Sequence, residues 1–174
     1  EIAQCLVGSE MCIRDRHGDF YPLIRKVFED AGVIFVILPN LPGSGINGAT
    51  KKIGQNVMLM VNDRRFYSDT FWFTLFHEIG HIINGDYGIT FENEHTGQED
   101  AADKYAEDKL IPPGEYEAFV KMNEFSENAI RRFAERIDRD PGIVLGRLQN
   151  DQIVPFTNVA LSKALKHKYK VITS

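Results

Sequence analysis

The most continuous apolar segment of the chain runs from Phe71 to Ile83, and two histidines and a glutamate interrupt it. Apolar positions fall on almost every side of the helix that this segment predicts, which indicates a buried helix. His77 and His81 are four residues apart and therefore share one helical face, with Glu78 one step round the helix. Such side chains are costly in a buried helix unless something pairs with them. A metal ion is the simplest partner.

The spacing His-Glu-x-x-His predicts a zinc site with hydrolytic chemistry. Two histidine nitrogens on one helical face can reach one Zn²⁺ at about 2.0–2.1 Å. The metal lowers the pKa of water at the site to about 7, and Glu78 stands beside the metal to take the proton. A catalytic zinc with one open position needs a third protein ligand.

That third ligand is expected on a second helix, predicted from Gly97 to the proline pair at 112–113. Glu99 is the predicted ligand, and Asp103, one turn later, can accept the second ring N–H of a ligand histidine. His95, in the preceding loop, is the alternative ligand and would give a three-histidine site. The same helical face carries two small residues that would let the two helices approach closely, Ala102 and Ala106.

Upstream of the histidines, the pattern predicts a helix over residues 19–31, ended by Gly32, and then three strands. The run from Val33 to Leu38 is β-branched and aromatic, so we expect a mostly buried strand, and Val57 to Val61 is a second one. Gly48 to Ile53 is more polar, which places it at a sheet edge. The order predicts an α+β fold: a small antiparallel three-stranded sheet packed against the histidine helix, with further helices at the C-terminus.

Capping residues predict the helix ends. Ser68 or Asp69 is expected to cap the histidine helix, and Asn84-Gly85 to end it. After residue 122 we expect a helical extension, with helices starting at Ser126 and at Asp140 and a last weak helix over residues 159–167. Four arginines of this extension are expected on a solvated face: Arg131, Arg132, Arg136 and Arg139.

Composition narrows the classes of function. A hydrophobic fraction of 43% and a charged fraction of 26% are ordinary for a globular protein. The net charge of −5 argues against binding nucleic acid by electrostatics alone. No apolar run approaches the length of a membrane span, and no signal peptide is visible. Cys5 and Cys12 are the two cysteines, so the rest of the chain offers no thiolate ligand, and we expect a cytoplasmic protein.

The first sixteen residues are expected to be foreign to the native protein. The stretch from Leu6 to Arg16 can be read back into DNA that resembles a transposon-based sequencing adapter translated in frame. We therefore exclude residues 1–16 from reasoning about the fold. Both cysteines fall in this excluded part, and we expect a different native sequence before residue 17.

Two motifs resemble the ImmA/IrrE family of metallopeptidase domains: FTLFHEIGHIIN, followed by E-x-x-A-D-K-Y-A-E-D-K-L-I-P. The resemblance covers roughly residues 30–115 and implies a zincin-like fold. It implies a gluzincin-like site in which His77, His81 and Glu99 bind one Zn²⁺ per chain and Glu78 is the general base. Tyr105 stands where phenylalanine is commoner in the family. A His₂Glu set favours zinc, while Mn²⁺ and other divalent ions remain alternatives.

The segment from Asp140 to Gln149 resembles the tail of a subgroup in which this domain follows an N-terminal helix-turn-helix, in antitoxin and regulator proteins of the HigA type. The resemblance implies a metallopeptidase domain over residues 17–122 and a helical extension over residues 123–174 packed on it. It also implies a DNA-binding domain before them, through which the protein would bind DNA and a toxin partner.

Two functions follow. In the first, the domain is a zinc endopeptidase that cleaves a protein substrate, which the resemblance implies is a transcriptional repressor or another regulator. The strand from Gly48 to Ile53 could then pair with extended substrate backbone. In the second, the domain is a non-proteolytic regulatory module, and its metal site is structural or sensory. An intact Glu78 favours the first function, because a structural site has no use for a base, and the tail favours the second.

Overall fold

The computed structural model describes residues 21–39, 43–62, 67–91 and 96–168. Residues 1–16, for which we expect a foreign origin, and His95 lie outside the described residues. The described chain has an α+β fold, as predicted. Its elements are α1 (Tyr21–Asp30), β1 (Val33–Leu38), β2 (Ile46–Ile53), β3 (Asn56–Asn62), α2 (Ser68–Asn84), β4 (Ile89–Phe91), α3 (Gly97–Leu110), α4 (Pro113–Lys121), α5 (Glu127–Arg136), α6 (Pro141–Asn150) and α7 (Val159–Leu165).

The sheet has four strands in the order β1-β3-β2-β4, so the expected three-stranded sheet is wrong in number. The additional strand, β4, comes from a segment that the polar pattern places in a loop. The expectation of an antiparallel sheet is also wrong at one pair, because β1 runs parallel to β3 while β2 is antiparallel to both of its neighbours. The pattern of apolar and polar residues predicts where a strand lies, but it does not predict whether the strand pairs parallel or antiparallel with its neighbour.

The strand predicted at the edge lies inside the sheet. Gly48 of β2 pairs with Val61 of β3 on one side and with Thr90 of β4 on the other. The polar residues that suggested an edge follow the part of β2 that β4 covers. Within the described sheet β1 is an edge strand instead, and Ile34 and Leu38 are 43% and 45% exposed. The prediction of a mostly buried β1 is therefore wrong, because only its Val33 and Phe35 are buried.

One face of the sheet is covered by helices. Phe28 of α1 stacks on Phe35 of β1 with ring centroids 5.0 Å apart. Gly32, with φ +74°, lies in the turn directly after α1 and stops the helix, as predicted. Leu59 and Val61 of β3 are fully buried on this face. They belong to one hydrophobic cluster that also contains residues of α2, α5 and α6. The cluster gives α2, which carries the two histidines, a fixed position over the sheet.

The two ends of α2 differ from each other in their capping. The start follows Tyr67, and no side chain caps it, so the predicted caps Ser68 and Asp69 are wrong. Both are already inside the helix, where the Ser68 N–H donates to the carbonyl of His167 at 2.9 Å. The end is as predicted: Gly85 adopts a left-handed conformation with φ 77°, and its N–H donates to the His81 carbonyl at 2.9 Å.

Helices α2 and α3 pack with their backbones close together. A Cβ atom on Gly80 would lie 3.0 Å from the Cα atom of Ala102 and 3.3 Å from its Cβ. Ala102 and Ala106 are fully buried. The prediction that these small residues permit a close approach is confirmed, and this contact sets the distance between the two helices that carry the candidate ligands.

The C-terminal helices begin at the predicted caps. The Ser126 hydroxyl accepts from the N–H of Ala129 at 3.3 Å, and the Asp140 carboxylate accepts from the N–H of Gly142 at 2.7 Å. The prediction of a solvated arginine face is wrong for Arg139. This residue is buried, and its Nε donates to the Leu110 carbonyl at the end of α3. The three other arginines of that set are exposed, as predicted. Of the helices in the described ranges, none has the length and apolar character that a membrane crossing requires.

Candidate metal centre

Three side chains that the sequence singles out meet at one point between α2 and α3. The Nε2 atoms of His77 and His81 are 3.0 Å apart. The Glu99 carboxylate places Oε2 3.1 Å from Nε2 of His77 and Oε1 3.4 Å from Nε2 of His81. One ligand atom from each residue lies within 4.8 Å of the others, so this group could hold a metal ion.

Local structure explains this convergence. The spacing of four residues places both imidazoles on the face of α2 that looks toward α3. Thr96 caps α3 by accepting from the N–H of Glu99 at 3.3 Å, which fixes Glu99 in the first turn of that helix. A carboxylate is favoured there by the helix dipole. The contact of Gly80 with Ala102 then brings the first turns of α3 against the histidines.

Asp103 stands behind His77, where the sequence places it. Its Oδ1 is 2.7 Å from Nδ1 of His77, a distance typical of a charge-assisted hydrogen bond. Burial opposes protonation of His77, but the hydrogen bond to Asp103 and the charges of Asp103, Glu78 and Glu99 together raise the pKa of His77. A proton held on Nδ1 by Asp103 leaves the lone pair of Nε2 directed at the point of convergence.

Asp86 stands behind His81, and the sequence reasoning missed it. Its Oδ2 lies 3.3 Å from Nδ1 of His81, and its N–H donates to the His81 carbonyl at 3.1 Å. The left-handed Gly85 turns the chain back on α2, so that Asp86 contacts both the ring and the backbone of one residue. The available signal was local: an aspartate directly after the glycine that ends a histidine-bearing helix.

Glu78 is fully buried at the side of α2 that meets the sheet. Its carboxylate lies against the backbone of β2 at Gly48. The structure thus brings together the predicted residues His77, Glu78, His81, Glu99 and Asp103 at the junction of α2, α3 and β2. His95 stays a prediction as the alternative ligand, since it lies outside the described residues.

Comparisons with known proteins give this site no family. No model of a known protein family matches the chain, and no curated protein matches it.

Proposed function

We propose that this chain is a zinc-dependent metallo-endopeptidase domain of the ImmA/IrrE kind, with the zincin-like packing of a helix bearing His-Glu-x-x-His on a small sheet. The observation that carries the proposal is the convergence of two imidazoles and a carboxylate between α2 and α3. The site residues and their spacing support the metal-dependent chemistry, and the resemblance of the two motifs supports the family and the class of substrate. The substrate we propose is a protein, a transcriptional repressor or another regulator.

The spacing of the donor atoms supports zinc as the ion. Four tetrahedral ligands at about 2.0–2.1 Å from Zn²⁺ stand roughly 3.3 Å from one another. The Nε2 atoms of His77 and His81 are 3.0 Å apart, and the Glu99 oxygen nearest to each lies at 3.1 Å (Oε2 to His77) or 3.4 Å (Oε1 to His81). With one ligand atom from each residue, all three lie within 4.8 Å of one another. Two imidazole nitrogens that both direct lone pairs at one point repel each other unless a cation lies between them. Three protein ligands also leave a fourth position for water or substrate, as in catalytic zinc sites.

The residues of this chain then have separable tasks. A bound zinc ion would supply a Lewis acid that polarises the peptide carbonyl and lowers the pKa of water. Glu78 accepts the proton of the attacking water and passes it to the leaving amine. His77, His81 and Glu99 hold the ion, while Asp103 and Asp86 keep the two rings in one orientation and one tautomer.

The observed strand order changes the strand to which we expect a substrate to bind. Extended substrate backbone cannot add to β2 at Gly48, because β3 and β4 already pair with that residue. The neighbouring edge of the described sheet is β4 (Ile89–Phe91), which follows α2 directly in the chain. A substrate strand would therefore pair with β4, where unpaired backbone groups can accept another strand.

One observation favours the second function, a non-proteolytic regulatory or antitoxin module of the HigA type. His77 and His81 are only 5% and 6% exposed. An ion held by such buried rings would be structural if a fourth protein ligand, and not water, completed its coordination. In that case the ion would fasten α3 to α2, and recognition of DNA and of a toxin would belong to a domain preceding this one.

A substitution of Glu78 separates the two functions. We expect the wild-type chain and Glu78→Gln both to retain close to one zinc per chain, measured by metal analysis after gel filtration. Cleavage of a proteome-derived peptide library, followed by mass spectrometry, should fall by about 10²–10⁴-fold in Glu78→Gln, because the general base is lost. Glu117→Gln, at an exposed glutamate of α4, is the matched control. Bound zinc without cleavage in the wild type would favour the regulatory module, and a wild type without zinc would contradict both functions.

A further inference from the structure

Gly48 of β2 occupies a position where any side chain would overlap Glu78. A Cβ atom built on Gly48 would lie 2.6 Å from Cδ and 2.7 Å from Cγ of Glu78, and it would overlap Oε1. Real Cβ atoms essentially never come this close to another heavy atom. Gly48 does not have a positive φ, so its backbone conformation suits any residue. The close approach of the Glu78 carboxylate is therefore the reason for glycine at this position.

The backbone of Gly48 cannot move away from Glu78. β3 holds it through the pair with Val61, and β4 holds it through the pair with Thr90. The pairing with β4 also contains a bulge at this point, since Ile46 faces Phe91 and Gly48 faces Thr90, with Asn47 as the extra residue. A bulge bends its strand locally and often serves to aim groups next to an active site.

The backbone of α2 is fixed as well. Gly80, two residues after Glu78, touches Ala102 of α3, so the helix cannot retreat without separating the two ligand-bearing helices. Strand and helix are thus both held by neighbouring elements at this contact. A new side chain at position 48 must be accommodated by the side chain of Glu78, which is fully buried and would have to leave its present position.

We propose that Gly48 is a positioning residue, which fixes the place of the Glu78 carboxylate by leaving it a space against the backbone of β2. This inference rests on the proposed function, because it gives Glu78 the role of general base. The three atoms nearest to the built Cβ of Gly48 all belong to Glu78. A larger residue at position 48 therefore meets the carboxylate of the base first, and we expect the metal-binding group to stay intact.

The contact is tested by a double-mutant cycle on thermal unfolding, with wild type, Gly48→Ala, Glu78→Ala and the double variant. In the wild-type background, Gly48→Ala should lower Tm by about 3–10 °C, as expected of one forced methyl group in a domain of this size. In the Glu78→Ala background the same change should lower Tm by less than about 2 °C or raise it, because Ala normally stabilises relative to Gly when space is free. A single variant that fails to fold, with a double variant that folds, would support the same conclusion.

Gly88→Ala is the matched control. The carbonyl of Gly88 accepts from the N–H of Thr50, which belongs to β2 like Gly48. A Cβ atom built on Gly88 meets nothing within 4 Å, and the φ of Gly88 is not positive. It should change Tm equally in both backgrounds. Equal destabilisation by Gly48→Ala in both backgrounds, or none in either, would overturn the inference.

The functional part is read from zinc content and from the two kinetic constants. Gly48→Ala should keep close to one zinc per chain and its KM, while kcat falls at least 10²-fold, because only the base has moved. Loss of zinc from Gly48→Ala, or an unchanged kcat, would contradict the positioning role. If the cycle shows the coupling but the zinc-loaded wild type cleaves no peptide, the proposed function fails and the packing of Gly48 on Glu78 still stands.

Discussion

The two ends of α2 both bury charged side chains, but they neutralise them in different ways. Near the start, Asp69 pairs with Lys166 at 2.6 Å, and both side chains are about one-tenth exposed. Toward the end, His77 and His81 pair with carboxylates, those of Glu99, Asp103 and Asp86. One end therefore contains its own cation, whereas the other, the candidate metal end, gathers carboxylates around two histidine rings that can be neutral.

The difference separates an ion pair that is complete within the chain from a group of side chains that could hold a metal ion. Each end also lays a carboxylate against a glycine, Asp69 against Gly146 and Glu78 against Gly48. Close packing of a carboxylate is thus common to both ends and does not mark function by itself. What marks the metal end is that its partly buried carboxylates face histidine rings, and a histidine supplies a positive charge only when it is protonated. Removing partners at the two ends should accordingly have unlike effects.

The largest effect is expected from Glu99→Ala, which should remove metal binding while leaving the other end of α2 intact. The loss of one ligand among three or four should cost about 4 kcal/mol, or roughly a thousandfold in the Kd for zinc. Competition with a zinc-binding dye measures this Kd. Asp100→Ala, at the exposed neighbouring residue of α3, should leave the Kd unchanged. Unaltered zinc affinity in Glu99→Ala would make His95 the third ligand.

Lys166→Met is expected to have a smaller effect, and to lower stability while leaving zinc binding unchanged. It leaves Asp69 buried without its cation, and breaking a buried ion pair on one side costs about 3 kcal/mol of unfolding free energy. Urea denaturation of the zinc-free protein should show this loss, while zinc stoichiometry stays near one. The double variant Asp69→Asn with Lys166→Met should recover most of the stability. The control Lys163→Met, at an exposed lysine of α7, should change little. Equal losses in both lysine variants would contradict the distinction.

The smallest effects are expected from the two aspartates behind the histidines. Asp103→Ala and Asp86→Ala should each weaken zinc binding by about 10–100-fold, as removal of a carboxylate behind a ligand histidine commonly does. We expect Asp103→Ala to lie at the upper end, because its oxygen is 2.7 Å from the His77 ring nitrogen, against 3.3 Å between Asp86 and His81. Isothermal titration with zinc gives both values. A variant with wild-type affinity would remove that aspartate from the site.

Much of the candidate site could be predicted from the sequence, because its first part lies on one helix. Residues four apart share a face wherever the helix packs, so the spacing of His77 and His81 is informative without any tertiary structure. Glu99 and Asp103 followed from the same rule on a second helix. Asp86 was missed because a loop has no period, and the role of Gly48 was missed because it depends on which strand passes under Glu78.

The fold was predictable in its elements and less so in their arrangement. The segments that became β1 and β3 were predicted from apolar runs and β2 from a more polar one, but the polar end of β2 wrongly indicated an edge. The three-residue β4 is shorter than a pattern can detect. Arg139 was expected in solvent with its neighbours, yet the left-handed Asp138 turns it inward to the end of α3. These errors all concern contacts between segments distant in the chain.

The ion pair between Asp69 and Lys166 also bears on the order in which contacts can form while the chain is being synthesised. The two residues are 97 positions apart, whereas His77 and Asp103 are separated by 26. On a ribosome adding about 5–20 residues per second, the start of α2 waits roughly 5–20 s for its partner. All the predicted ligands of the metal end have been synthesised well before then. The nascent chain can therefore complete the candidate metal centre first and anchor the start of α2 last.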